Sequence, residues 1–152
     1  MQEGIEKGLV EDLADFVGVE GEVKYGEGGH SRIDILLKYQ DETKTFIEVK
    51  NTTLKVAEVV CAFPDARTER GKKHLEELVR EVKKRNRAVV FFLVSRNDCS
   101  QFRVAREVDR EFYETYRWAK KQGVKFLAYG IDFQQEGNSL ELSLGRRVEI
   151  VD

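Results

Sequence analysis

Residues 88–94, Ala-Val-Val-Phe-Phe-Leu-Val, form an unbroken apolar run that leaves no polar face. Its length and its wealth of Val and Phe suit a strand covered on both sides, since a buried helix would run longer. Such a strand needs a packing layer above and below, so the rest of the chain must supply a sheet with helices on its faces. Two amphipathic segments answer that demand. Pro64 and Asp65 precede a long helix whose Leu75, Leu78, Val79 and Val82 make one apolar stripe. A second helix, from about residue 109 to 122, is closed by Gly123 and leads into a strand over 124–133.

The N-terminal part reads differently. Ile5, Leu9, Leu13 and Phe16 recur at helical spacing and predict an amphipathic helix ended by Gly18 and Gly21. Residues 22–25, 32–39 and 44–50 read as three strands, separated by the Gly-rich stretch 26–29 and the polar turn 40–43. Two shorter strands, around 140–144 and 148–151, finish the chain. The connection 55–62, with Val59, Val60 and Cys61, shows no pattern that assigns it an element. The expected fold is therefore α/β: a mixed sheet with flanking helices, in one domain spanning residues 1–152.

Composition narrows the setting. The chain opens with no signal peptide, and its longest apolar run is far too short to span a bilayer, so a soluble, cytoplasmic protein without membrane partners is expected. Cys61 and Cys99 are isolated, with no Cys-x-x-Cys and no His cluster, and read as packing residues rather than as a zinc site or a disulfide framework. One Pro, one Met and 36% charged residues suit a thermophile. The net charge of -2 supplies no global attraction to nucleic acid. Locally, residues 1–50 carry 12 acids against 6 bases, whereas residues 65–87 carry 9 bases against 5 acids.

An acid-x-Lys pair occurs four times, as Glu22/Lys24, Glu42/Lys44, Glu48/Lys50 and Glu81/Lys83. Helical geometry turns the last apart, the second falls at a turn, and the first lies on a polar strand. Only Glu48/Lys50 sits in a strongly apolar strand, where i and i+2 share a face and charge needs a reason. On the preceding strand Asp34 is the one acid among apolar residues. Pairing through the turn after Lys38 sets Asp34 opposite Glu48, and a one-residue slip would undo it. Two carboxylates so close repel unless a cation lies between them, and oxygen ligands suit Mg²⁺ or Mn²⁺. The other reading of the same residues is a cross-strand salt bridge. On the long helix Arg67, Arg70 and His74 flank the apolar stripe, with Lys72 and Lys73 further round, a set able to meet phosphates. Thr68 and Gly71 lie on its buried side.

Several motifs in fixed order resemble one family. Lys24-Tyr25-Gly26-Glu27, Ser31-Arg32-Ile33-Asp34, Ile47-Glu48-Val49-Lys50-Asn51 with Thr53-Leu54, and Phe63-Pro64-Asp65-Ala66 running through Thr68 and Arg70-Gly71 to Lys73-His74-Leu75 closely resemble the sugar fermentation stimulation protein family. So do Arg87-Ala88-Val89-Val90 and Leu127-Ala128-Tyr129. That family is similar to the PD-(D/E)xK, or restriction-endonuclease-like, nucleases. The resemblance implies a restriction-endonuclease-like core, Asp34, Glu48 and Lys50 at the catalytic positions, and Asp34 and Glu48 as metal ligands. It also implies nucleic acid as partner, DNA ahead of RNA, with Arg32, Arg67, Arg70, Lys72, Lys73 and His74 as contacts. Members typically begin with an OB-fold-like domain, and this chain is expected to start at the helix that follows it. Hydrolysis of phosphodiester bonds is the leading function. A DNA-binding regulatory role linked to maltose metabolism without turnover, and an interaction domain, are the alternatives; a homodimer is compatible with the sequence.

Overall fold

A computed structural model describes residues 1–152. In chain order the elements are α1 (Gln2–Glu6), β1 (Gly18–Tyr25), β2 (Ser31–Lys38), β3 (Lys44–Thr52), β4 (Leu54–Ala57) and β5 (Val60–Phe63). They continue with α2 (Glu69–Lys83), β6 (Arg87–Val94), β7 (Gln101–Val104), α3 (Arg110–Lys121), β8 (Lys125–Glu136), β9 (Ser139–Arg147) and β10 (Glu149–Ile150). The main sheet has six strands in the order β1-β2-β3-β6-β8-β9. Its left half is an antiparallel meander, its centre β3-β6-β8 is parallel, and β9 returns antiparallel to β8. Parallel neighbours require crossovers, and α2 and α3 lie within the two that link β3 to β6 and β6 to β8.

The apolar run lies at the centre, as its composition demands. Ala88, Val90, Phe92 and Val94 join a core that includes Leu75 and Leu78 of α2 and Phe112 and Tyr116 of α3. Val89 and Phe91 join a second core on the opposite face, which Ile5, Val10 and Leu13 help to cover. Both helices are capped by side chains named in their own sequence. Thr68 accepts from the Gly71 N–H at 2.9 Å, and Asp109 accepts from the Phe112 N–H at 2.9 Å. Asp109 also accepts from the Thr68 N–H at 2.8 Å, which ties the two helix N-termini together. A Cβ on Gly71 would lie 2.8 Å from the Thr68 side chain and 3.1 Å from Phe112, so this glycine permits the approach of α2 to α3.

Two expectations are corrected, and one unassigned stretch takes form. The N-terminal helix stops after Glu6: Gly8 at φ +72° and Asp15 at φ +63° break the path, and only a short 3₁₀ turn over Glu11–Leu13 resumes it. Leu9, placed on the buried stripe by helical spacing, is 47% exposed, while Val10 is buried instead. The first strand, expected from Glu22, begins earlier, at Gly18. The unassigned connection forms β4 and β5. With β7 and β10 they make a second, four-stranded sheet. The second correction is that Cys61 and Cys99, read as packing residues, are joined in a disulfide, with Cα atoms 5.8 Å apart across a sequence separation of 38. Parallel pairing of β5 with β7 brings the two together, and neither strand is announced by a sequence period long enough to read.

Candidate active site

β2 and β3 pair with Lys38 opposite Lys44 and Ile35 opposite Ile47. That is the register that points Asp34 at Glu48. The ladder ends one rung short of them, and the Asp34 carboxylate replaces the missing rung: Oδ2 accepts from the Val49 N–H at 2.6 Å. Asp34 is an exposed residue at the opening between the strands, but this bond holds its carboxyl inward against β3.

Glu48 is 4% exposed. Its hydrogen bonds are lopsided. Oε1 accepts from Lys50 Nζ at 2.6 Å and lies 2.6 Å from His74 Nδ1, whereas Oε2 is buried with no hydrogen-bond partner. His74 stands on α2 and is buried, with Nε2 taking a hydrogen bond from Arg70 Nε at 3.4 Å. An arginine nitrogen only donates, so Nε2 must accept and the ring's proton must be on Nδ1, facing Glu48. Lys50 Nζ, 3.4 Å from the same Nδ1, is then a neighbour of the ring rather than its hydrogen-bond donor.

Burial acts on both carboxyls and the balance falls differently. At Glu48 it opposes ionisation, but the His74 and Lys50 contacts outweigh it and lower the pKa. At Asp34 burial prevails over the Val49 N–H, with the Glu48 charge adding to it, and the pKa is raised. The mutual influence of Asp34, Glu48, Lys50 and His74 shows that the four groups form one electrostatic cluster.

Two further residues belong to this neighbourhood, and neither is among the site residues that the sequence singles out. Glu77, 3% exposed, has an unpartnered Oε2, and the Tyr25 hydroxyl is likewise buried without a partner. The Glu77 carboxylate packs against Gly26, where a Cβ would come within 2.9 Å of Oε1. Burial and the charges of Glu48 and Glu77 push the Tyr25 phenol up, so it stays a donor. The signal for Glu77 was its place one turn beyond His74, on a helix face that also buries Leu78 and Glu81.

The expected phosphate contacts divide. Arg70 and Lys73 are exposed on α2, Arg67 is exposed in the loop ahead of it and not on the helix as expected, and Arg32 is exposed on β2, 3.6 Å from Glu22. Lys72 is not free for a ligand: it is held between Glu69, at 2.9 Å, and Glu111. His74, grouped with these contacts from its helical position, is buried against Glu48. Beside the cluster, Lys73, Glu76, Glu77 and Arg80 of α2 face Glu27 and His30 across a cleft of about 570 Å³.

A mixed sheet flanked by helices, with an acid on one strand and Glu-x-Lys on the next, defines a restriction-endonuclease-like domain. The chain belongs to the sugar fermentation stimulation protein family: the family model described as Sugar fermentation stimulation protein RE domain matches residues 1–137. A homologue from Pelagibacter ubique (strain HTCC1062) is 38% identical over 149 residues, covering 98% of this chain and 61% of its own length. One from Thioalkalivibrio sulfidiphilus (strain HL-EbGR7) is 41% identical over 141 residues, covering 93% and 59%. The chain thus spans about three fifths of the curated relatives it matches. Among solved structures, Pyrococcus furiosus SfsA in complex with Ca²⁺ superposes with a TM-score of 0.84 at 25% identity, over 99% of this chain and 62% of the other.

Proposed function

We propose that this domain is a metal-dependent phosphodiesterase acting on nucleic acid, DNA ahead of RNA, with Asp34 and Glu48 holding Mg²⁺ or Mn²⁺ and Lys50 serving the chemical step. The observation that carries it is Glu48 Oε2, a buried carboxylate oxygen with no partner in a cluster whose other acid is Asp34. An uncompensated oxygen of this kind is costly unless a cation or water meets it. Hard oxygen donors fit Mg²⁺ or Mn²⁺, and the family relative complexed with Ca²⁺ supports a divalent ion in this family. A bound ion would supply Lewis-acid activation of the phosphate and of water. Lys50, 14% exposed in its side chain and pinned to Glu48 Oε1, keeps an ammonium at the site, where it stabilises negative charge developing on the phosphate. Arg67, Arg70, Lys73 and Arg32 would meet the nucleic-acid backbone. So few contacts on a chain of net charge -2 give weak, salt-sensitive binding.

The test is incubation with single- and double-stranded DNA and RNA, with Mg²⁺, Mn²⁺ or chelator, over a salt series. Cleavage should need the ion. Asp34→Ala and Glu48→Ala should weaken metal binding and abolish cleavage, whereas Lys50→Ala should abolish cleavage and largely spare metal binding. Asp41→Ala, on the turn between β2 and β3, should leave cleavage intact. Metal-independent behaviour in all variants, with salt-sensitive DNA binding retained, would leave the non-catalytic regulatory reading in its place.

A further inference from the structure

We infer that His74 is a positioning residue for Glu48, and that Arg70 sets the tautomer in which it works. This rests on the metal reading above and concerns how the site is held. Both donors that reach Glu48 fall on the same oxygen: Lys50 Nζ at 2.6 Å and His74 Nδ1 at 2.6 Å both meet Oε1, leaving Oε2 bare. A carboxylate clamped by two donors through one oxygen has its plane and its other oxygen directed. Oε2 is therefore presented rather than merely unsatisfied.

Lys50 alone cannot provide this aim. Its ammonium is a point charge on a flexible stem, while an imidazole N–H is directional. The ring itself is locked from behind. Arg70 Nε, 3.4 Å from Nε2, is a permanent donor, so protonated Nε2 would set donor against donor. Only the Nδ1–H tautomer satisfies both contacts. Arg70 and His74 are one turn apart on α2, Glu48 is on β3, and the arrangement fastens the helix to the carboxylate through a buried side chain. It follows the general rule that ligating carboxylates are held by outer hydrogen bonds whose loss costs roughly 10- to 100-fold in metal affinity.

The experiment is Mn²⁺ titration of the full chain by calorimetry, with thermal unfolding measured in parallel. His74→Leu fills the space and removes the donor; His74→Asn keeps an N–H near the place of Nδ1 and leaves a void. His74→Leu should bind Mn²⁺ roughly 10- to 100-fold more weakly than the parent. His74→Asn should recover most of that affinity even where it unfolds at a lower temperature. Arg70→Met should fall between the parent and His74→Leu, because the ring is kept but its tautomer is no longer selected. A His74→Leu protein that binds Mn²⁺ like the parent, or a His74→Asn protein as weak as His74→Leu, overturns the positioning role. A parent that binds no Mn²⁺ overturns the metal reading itself, and this inference with it.

Discussion

Asp34 and Glu48 are pushed in opposite directions by one neighbourhood, and opposite pH dependences of their contributions to stability follow from it. Asp34 is raised from its ordinary value of 3.8 by burial, against the Val49 N–H bond. Glu48 is lowered from 4.5 because His74 and Lys50 outweigh burial. For Asp34 the folded state binds the proton more tightly than the unfolded chain, so its contribution to stability declines as pH rises from 3.8 through the folded pKa. For Glu48 the contribution is present above 4.5 and is lost as pH falls through the depressed folded pKa. Asp34 should therefore take its proton at a higher pH than a free Asp side chain, and Glu48 at a lower pH than a free Glu side chain. Carboxyl-detected NMR of the metal-free chain reads this directly, and an Asp34 resonance shifted below its free value, or a Glu48 resonance shifted above its own, would contradict the cluster described here.

At the scale of elements, Asp109 is the joint between the two helices. It caps α3 and also takes the N–H of Thr68, the residue that caps α2. Burial alone would raise this carboxyl, but the N–H bonds from Phe112 and Thr68 win and lower its pKa from 3.8. Its stabilisation is thus complete above 3.8 and disappears as pH falls through the lower, folded value. Asp109→Ala should cost about 2 kcal/mol in urea unfolding at neutral pH, from a lost helix cap and an N–H left without its partner. Asp109→Asn, which keeps one acceptor oxygen, should lose less and should show a shallower loss of stability in acid than the parent. Equal acid profiles for parent and Asp109→Asn would show that the joint carries no linked proton.

For the whole molecule, the second sheet and its disulfide close a long segment of chain. The bond between Cys61 and Cys99 spans 38 residues that contain α2 and β6, the elements that hold His74 and the central strand. In the chain-entropy account a loop of that size is worth roughly 4 kcal/mol, and measured cases commonly give about 2 to 4. Reduction of the bond, or Cys61→Ser with Cys99→Ser, should lower unfolding stability by about 2 to 4 kcal/mol. Denaturant unfolding with and without reductant checks this, and coincident curves would show that the bond adds nothing. Neither cysteine is among the hydrogen-bond partners of Glu48 or Asp34, so Mn²⁺ affinity of the folded, reduced protein should match that of the oxidised form.

Local pattern carried the central strand, both long helices, the β2–β3 register and the Asp34–Glu48–Lys50 cluster, because each rests on periodicity within a short stretch of chain. An apolar run in β6 demands cover on two faces, and a turn of known length between β2 and β3 sets which residues oppose. What depends on distant segments was not legible. Gly8 and Asp15 interrupt a helical spacing that is otherwise intact in the letters, and β4, β5 and β7 are each four residues long, too short to display a period. The disulfide follows from their pairing and from nothing nearer in sequence. Likewise His74 reads as a basic residue on a helix flank until α2 is laid on β3. Only that packing takes the imidazole out of water and sets it against one oxygen of Glu48, leaving the other without a partner.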